Sequence, residues 1–318
     1  MATTATAPPA VLRRRTPPTS LTRERRRRRA PLLPALIFTI IVTQLPFLVT
    51  LVYSLFKWNL LRPGSREFAF LDNYARVLSD SATYKALLVT VLLTVGAVVA
   101  SVLVGLACAL LVDRKFVGRG VVRTLLIAPF LVMPAAAALL WKTTMLHPVF
   151  GIVNWVLGPF GVGDVDWASK FPLLTIITVE TWHWAPFMML ILLGGLQSFR
   201  YLTLPHLRQY IELGVVLGSI YIVQTFDSIF MITQGGPGTA TTNLPFQLYQ
   251  TAFRAFDVGR AAALGVIVVV LTIIVATYAL RIISRLFTDP VVAARVLDLS
   301  AFERRQRAEL GRSEEVTA

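Results

Sequence analysis

The sequence predicts an all-α protein that crosses a membrane several times. Six apolar stretches, each long enough to span a bilayer, are separated by segments too short for a soluble catalytic domain. The composition agrees, since 55% of the 318 residues are hydrophobic, 15% are charged and the mean hydropathy is +0.67. A soluble domain has about 25% charged residues. Because a backbone in lipid must pair its polar groups within its own segment, the stretches are expected to be helices.

About 20 residues are needed to cross the ~30 Å hydrocarbon core. The predicted spans are 32–56, 86–112, 121–141, 172–197, 210–232 and 261–287. Pro129 and Pro134 interrupt the third span and predict a kinked or partly re-entrant helix there. We divide the chain into a basic tail at 1–30, a six-helix membrane domain at 31–287 with its core at about 86–287, and a second tail at 288–318.

The positive charges predict the orientation of the chain. The formal net charge is +14, and five consecutive arginines occupy 25–29. Of the 31 Lys and Arg residues, 22 fall on the side of the membrane that holds both termini. The positive-inside rule predicts that this side is the cytoplasm. The arginine run is therefore expected to contact the anionic inner leaflet of the bilayer, and no nucleic acid is expected as a partner.

Sites for ATP, metal or catalysis are missing from the sequence. No glycine is followed by lysine, so the phosphate-binding loop Gly-x-x-x-x-Gly-Lys-Ser/Thr does not occur. The three histidines fall on different segments, and the single cysteine, Cys108, lies in the second span. We therefore expect neither a metal site nor an intrachain disulfide. No paired acids or other catalytic constellation is present, so the chain is not expected to be an enzyme.

A cluster of glycines marks the end of the fifth span. Gly235 to Gly238 are expected to form a turn rather than a phosphate-binding loop, because no strand precedes them. The apolar residues between 244 and 256 then recur close to helical spacing. This pattern predicts a short amphipathic helix at the outer mouth of a pore.

Polar side chains within the spans indicate a binding site. Ionisable groups in a membrane are costly to bury and face a cavity, a partner or a pathway. The fourth span carries Glu180 and His183 beside Trp184. Carboxylates bond to hydroxyl groups, and indole faces pack on C–H surfaces, so this mixture suits a sugar-like ligand. Tyr221, Gln224 and Asp227 on the fifth span are candidates for a second wall.

The same residues allow a purely structural explanation. Trp182 and Trp184 are also typical of an aromatic belt at the membrane interface, with Glu180 paired to a neighbouring helix. Asp227 could serve a structural hydrogen bond near the outer surface as readily as a ligand contact. A third alternative is an ion-coupled secondary transporter of small polar solutes that uses Glu180, His183 and Asp227 as a relay.

Several short motifs in a fixed order resemble a known family. They are Gly195-Leu196-Gln197-Ser198, Leu202-Thr203-Leu204-Pro205, Gly235-Gly236-Pro237, Tyr249, Ala252-Phe253, Asp257, Gly259 and Ala261-Ala262-Ala263. From about 31 to 287, the chain resembles the permease subunits of binding-protein-dependent ABC importers for carbohydrates, the group that contains the large subunit of maltose permease. Within that group, Asn73-Tyr74, the stretch from Pro129 to Lys142, and Val165-Asp166-Trp167 are most similar to the mannitol and sorbitol permeases.

The resemblance implies a fold, a set of partners and site residues. It implies the six-helix fold of type I importer permeases, a second permease subunit, two cytoplasmic ATPase subunits that bind the ATP, and an extracytoplasmic solute-binding protein. It implies no cofactor on this chain. Glu180 and Trp184 match positions that contact sugar in the maltose relative, whereas His183, Tyr221, Gln224 and Asp227 rest on the residue argument above.

The chain departs from the family in one place. Family members carry a Glu-Ala-Ala coupling helix for the ATPase between the fourth and fifth spans. Here Ser198 is followed almost at once by Leu204-Pro205, and no Glu-Ala-Ala occurs in the sequence, so roughly 18 to 20 expected residues are absent. Ser198, Leu204 and Pro205 are a remnant of that coupling element. We expect helix insertion to survive the gap and energy coupling to be impaired or lost.

Overall fold

Helices form nearly all of the regular structure, as predicted. The computed structural model describes residues 32–287 apart from 63, 65, 162 and 199–203. In chain order the elements are α1 (Leu32–Ser54), β1 (Phe56–Lys57), β2 (Glu67–Phe68), α2 (Asp72–Ser79), α3 (Ser81–Asp113), α4 (Arg119–Leu131), α5 (Pro134–Leu140), α6 (Ile152–Leu157), α7 (Trp167–Lys170), α8 (Pro172–Ser198), α9 (Leu204–Ile222), α10 (Leu244–Tyr249) and α11 (Val258–Phe287). π-Helical turns occupy Trp141–Met145, Ile229–Thr233 and Gln250–Arg254, and a 3₁₀ turn occupies Gly158–Phe160. The predicted tails at 1–30 and 288–318 lie outside the described residues.

Four helices in the described part of the chain, α1, α3, α8 and α11, are long and apolar enough to cross a membrane. The portion of α1 up to Val52 is a separate unit, and its apolar side chains are exposed. Exposure of this kind suits a helix that contacts lipid. The all-α membrane fold is therefore confirmed, although two of the six predicted spans differ from continuous helices.

The predicted kink in the third span is confirmed. We call residues 119–145 the third segment; its helices α4 and α5 meet at an angle of 102°. Pro134 begins α5, where its missing N–H costs no helical hydrogen bond. Met133 before it is extended (ψ 133°), as the residue preceding a proline prefers. The segment is thus a broken span or a re-entrant loop.

The prediction of one continuous helix at 210–232 was wrong. We call residues 204–233 the fifth segment; α9 ends at Ile222, and helical structure resumes only near Ser228 and the π turn. The amide of Thr225 donates to the carbonyl of Ile222 at 3.0 Å, which closes the last turn tightly. Asn243 then donates from Nδ2 to the carbonyl of Thr225 at 2.5 Å. Because a side chain from another segment satisfies the broken backbone, the interruption was not visible in the local sequence.

Close packing of α3 against α8 forms the centre of the protein. Ala97, Val98 and Val102 of α3 form a buried cluster with Met188 of α8. At Gly105, an added Cβ would lie 2.6 Å from the Met188 Cβ and 2.9 Å from the backbone nitrogen of Met189. Only glycine permits this approach of the two helices, a common arrangement in membrane bundles. The contact fixes the position of α8, which carries the predicted site.

Polar contacts join the segments that follow α1 to the start of α11. The buried Asn73 donates from Nδ2 to the carbonyls of Ser54 (2.9 Å) and Phe56 (2.8 Å). Arg260 forms an ion pair with Asp80. Asp80 also accepts from the amide of Ala82 at 2.9 Å, which caps the first turn of α3. Both helices begin before their predicted starts, α3 at Ser81 and α11 at Val258.

The turn predicted at Gly235 to Gly238 is confirmed. Gly235 (φ 84°) and Gly238 (φ 61°) adopt the left-handed conformation, and Gln234 (φ 49°) ends the preceding π turn in the same region. The predicted short helix is present as α10 with its following π turn. Leu244 and Phe246 of this helix are buried in the protein, so it is part of the core.

Replacing Gly105 by alanine is expected to destabilise the protein by about 1–3 kcal/mol, because the new methyl group meets backbone atoms that cannot rotate away. The measurement is unfolding in detergent micelles. Gly194→Ala is the matched control, since a Cβ there meets nothing within 4 Å. Equal stability of the two variants would show that α3 and α8 are not in close contact.

Candidate functional site

One turn of α8 brings three of the predicted residues to the same side of the helix. Glu180, His183 and Trp184 are spaced i, i+3 and i+4, which places them on one face. Glu180 is 6% exposed and His183 is 8% exposed. A buried carboxylate and imidazole require partners from other segments, and the structure supplies them from the two interrupted segments.

Glu180 is bonded to the break in the fifth segment. Ser228 donates from Oγ to Oε1 of Glu180 at 2.6 Å in a buried hydrogen bond. The side chains of Trp184 and Thr225 also lie close to this carboxylate. Thr225 lies within the interruption that follows Ile222, and Ser228 directly precedes the π turn. A single carboxylate therefore holds the interrupted backbone in position.

His183 lies against the bend in the third segment. Its imidazole lies close to the backbone carbonyl of Pro129. The ring of Phe130 lies 6.1 Å from the imidazole, centroid to centroid. The Nδ1 atom of His183 is buried and has no hydrogen-bond partner in the structure. Both interrupted segments thus meet at the same turn of α8.

An aromatic surface extends from this turn. Trp184 stacks on Tyr221 of α9, with ring centroids 5.2 Å apart and planes at 22°. Phe130 stacks on Phe187 at 5.4 Å and meets the edge of Trp184 at 5.7 Å. Tyr221 is 56% exposed, so the surface is open on the side of α9. Aromatic faces of this kind pack on the C–H surfaces of a sugar.

The two remaining candidates lie at the break itself. Gln224 and Asp227 are both exposed. Gln224 donates from Nε2 only weakly, at 3.4 Å, to the carbonyl of Ile220 in its own segment. Asp227 is close enough to Glu180 for the two charges to interact, and no described hydrogen bond involves its side chain. Glu180, His183, Trp184 and Tyr221 come together, with Gln224 and Asp227 beside them.

Sequence reasoning missed three residues that hold the site together: Thr225, Ser228 and Asn243. A serine or threonine in a span commonly bonds to its own helix, so neither Thr225 nor Ser228 gave a signal. Asn243 precedes Leu244-Pro245, a pattern typical of a helix start, and it does cap α10. Its second bond, to the carbonyl of Thr225, has no signature in the sequence.

The predicted coupling remnant is located only in part. Ser198 is the last residue of α8, and Leu204-Pro205 begin α9. The residues between them, 199–203, are outside the described ranges. Among the described residues, no group of three His, Cys, Asp or Glu side chains could hold a metal ion.

No protein-family model matches the chain. A probable ABC transporter permease protein of Sinorhizobium fredii is 37% identical over 259 residues, which cover 75% of this chain and 84% of the relative. The trehalose/maltose transport system permease protein of Thermococcus litoralis is 29% identical, covering 76% and 88% of the two chains. The sulfoquinovosyl glycerol transport system permease protein of Agrobacterium fabrum is 30% identical, covering 79% and 88%.

Two solved structures share the fold. One is a bacterial ABC transporter involved in the import of the acidic polysaccharide alginate, with a TM-score of 0.69 and 18% identity over 83% of this chain and 99% of the other. The second is a bacterial alginate ABC transporter in complex with an alginate-bound periplasmic protein, with a TM-score of 0.66, 18% identity and coverage of 80% and 94%.

The relatives are permeases, which are non-enzymatic membrane subunits, so the prediction that the chain is not an enzyme is confirmed. The polytopic membrane location is confirmed by the same relatives together with the apolar helices. The 37% identity to the Sinorhizobium fredii permease extends over most of both chains and shows that the two proteins belong to one family. The chain belongs to the family of carbohydrate ABC transporter permeases.

Proposed function

We propose that this chain forms half of the membrane passage of an importer for a sugar or a sugar alcohol of the mannitol or sorbitol type. The observation that carries the proposal is the meeting of two interrupted segments at Glu180, His183 and Trp184. Non-helical backbone within a membrane is tolerated only where it is buried in protein or lines a cavity. Transporters commonly place their substrate at such interrupted helices.

The chemistry of the site suits a polyhydroxyl ligand. Glu180 accepts hydrogen bonds, and a carboxylate has about four acceptor positions on its two oxygens. The stacked pair Trp184 and Tyr221 offers an apolar face on the same side. The unpartnered Nδ1 of His183 could meet a hydroxyl group of the ligand, which would act as donor or acceptor. Gln224 and Asp227 add exposed polar groups at the edge.

The proposed partners are a second permease subunit, two cytoplasmic ATPase subunits and an extracytoplasmic solute-binding protein. The relatives of known substrate include a trehalose/maltose system, and a structure with the same fold contains a periplasmic binding protein with its ligand. ATP would be bound by the ATPase subunits, since this sequence has no phosphate-binding loop. Both termini are proposed to be cytoplasmic, because 22 of 31 Lys and Arg residues fall on that side.

Uptake by the assembled transporter tests the proposal. Proteoliposomes that contain this chain with its candidate partners are expected to take up labelled sorbitol or mannitol only when the binding protein is present. Trp184→Ala is expected to raise the KM for the polyol about fivefold to tenfold, because the stacked face contributes about 1 kcal/mol.

Trp155→Ala is the control for the tryptophan variant. Trp155 lies on α6 and is 79% exposed, away from the described contacts of Trp184. Uptake that ignores the binding protein, or equal KM values for the two variants, would contradict the proposed function.

We also propose that the short connection after Ser198 reduces coupling to ATP. The match to the Sinorhizobium fredii permease runs over 259 residues, yet it takes up 75% of this 318-residue chain, which is about 239 residues. The match is therefore about 20 residues longer than the part of this chain that it covers. This difference supports a gap, and the connection from Ser198 to Leu204 is where the coupling helix would be. Without that helix, ATP-driven closure of the ATPase has few contacts that distinguish the two states of the permease.

Restoring the missing segment tests the coupling proposal. Insertion of a family-like coupling helix of about 20 residues after Ser198 is expected to increase the polyol transported per ATP hydrolysed severalfold. A Gly/Ser insertion of equal length is the control and is expected to change nothing. If neither insertion alters the ratio, the short connection does not limit coupling.

A further inference from the structure

We infer that Glu180 makes the site selective against anionic carbohydrates, so that uncharged and amine-bearing compounds enter and acidic ones do not. The inference rests on the proposed function, because it assumes that the ligand is held at this turn of α8. The fold does not determine whether charged or neutral carbohydrates are accepted, since a bacterial ABC transporter with the same fold is involved in the import of the acidic polysaccharide alginate.

The charged groups nearest to the site are both acids. Glu180 is the only Asp, Glu, Lys or Arg in the 27 residues of α8. Asp227 at the break of the fifth segment is the charged group that acts on it. No described ion pair includes either carboxylate. Within the described part of the chain, the site therefore presents two acids without a neutralising cation.

The described cations of the neighbouring elements are not among the charged groups that act on Glu180. Arg208 of α9 forms an ion pair with Glu212 at 2.5 Å, four residues away on the same helix. Lys142 of the third segment donates from Nζ to the carbonyl of Met231 at 2.9 Å, in the π turn that follows Ser228. Lys142 is bonded to the backbone of that turn, and it is not among the charged groups that act on Glu180.

The hydrogen-bond donors around Glu180 are directed at its carboxylate. Ser228 donates to Oε1, and the side chains of Trp184 and Thr225 lie close to the same group. An anionic ligand accepts hydrogen bonds and would need donors from the protein. The donors around Glu180 would have to leave its carboxylate to bond to such a ligand. A hydroxyl or an ammonium group instead brings a donor, which a remaining acceptor position on Glu180 can receive.

Three ligands with the same six-carbon chain separate charge from shape. Sorbitol is neutral, gluconate carries a carboxylate at one end, and glucamine carries an ammonium group there. In competition with labelled sorbitol in the assembled transporter, unlabelled sorbitol and glucamine are expected to inhibit uptake at similar concentrations. Gluconate is expected to need at least a tenfold higher concentration. This comparison uses the unaltered protein, so it does not depend on a variant that folds.

Removal of the charge should then reduce the discrimination. Glu180→Gln keeps an acceptor for Ser228 and is expected to lower the gluconate-to-sorbitol ratio of inhibitory concentrations about tenfold, while glucamine becomes a weaker inhibitor. Glu212→Gln removes an acid from the fifth segment outside the site and is expected to leave both ratios unchanged. Because each result is a ratio within one variant, changes in total uptake do not affect it.

Two outcomes would overturn the inference without affecting the proposed function. One is inhibition of the unaltered transporter by gluconate at the same concentration as by sorbitol. The other is a Glu180→Gln variant that takes up sorbitol and keeps the same ratio of inhibitory concentrations for gluconate and sorbitol. Failure of the assembled transporter to take up any neutral polyol or sugar would instead overturn the proposed function, and the inference would fall with it.

Discussion

The hydrogen bond from Ser228 to Glu180 is the contact on which the arrangement of the site depends. A membrane-spanning backbone that leaves the helix must find other partners for its polar groups. The fifth segment leaves the helix after Ile222, and its break is held by Glu180 on one side and by Asn243 on the other. Asn243 satisfies a backbone carbonyl of the break, and Glu180 accepts from the hydroxyl of Ser228; without these two side chains, both groups would be buried without a partner.

The third segment meets the same constraint through a different residue. Its bend near Pro129 lies against His183, one turn beyond Glu180 on α8. Because Gly105 brings α3 within direct contact of α8, that helix has little freedom to shift or rotate. The bent and broken segments are therefore positioned against a fixed helix. This geometry gives a site with defined polar groups, and it also gives two segments whose positions could change when a ligand competes for Glu180.

The sequence predicted the parts of the structure that depend on composition and local pattern. Apolar length predicted the helices, Pro129 and Pro134 predicted the bend, and Gly235 to Gly238 predicted the turn. The spacing of Glu180, His183 and Trp184 likewise placed them on one face. The break after Ile222 was not predicted, although Gln224, Thr225, Asp227 and Ser228 make this stretch more polar than the rest of the span, because the side chain that satisfies its backbone, Asn243, is distant in the sequence. Ser228 was missed for the same reason, whereas its neighbour Asp227 was chosen for its charge.

The most direct measurement is an electron cryomicroscopy map of the assembled transporter with sorbitol bound. Ligand density is expected to contact the Glu180 carboxylate and to lie on the faces of Trp184 and Tyr221, next to the break in the fifth segment. Ligand density elsewhere in the passage, with Glu180 still covered by Ser228 and Thr225, would show that this turn of α8 holds the fold together and does not bind the substrate.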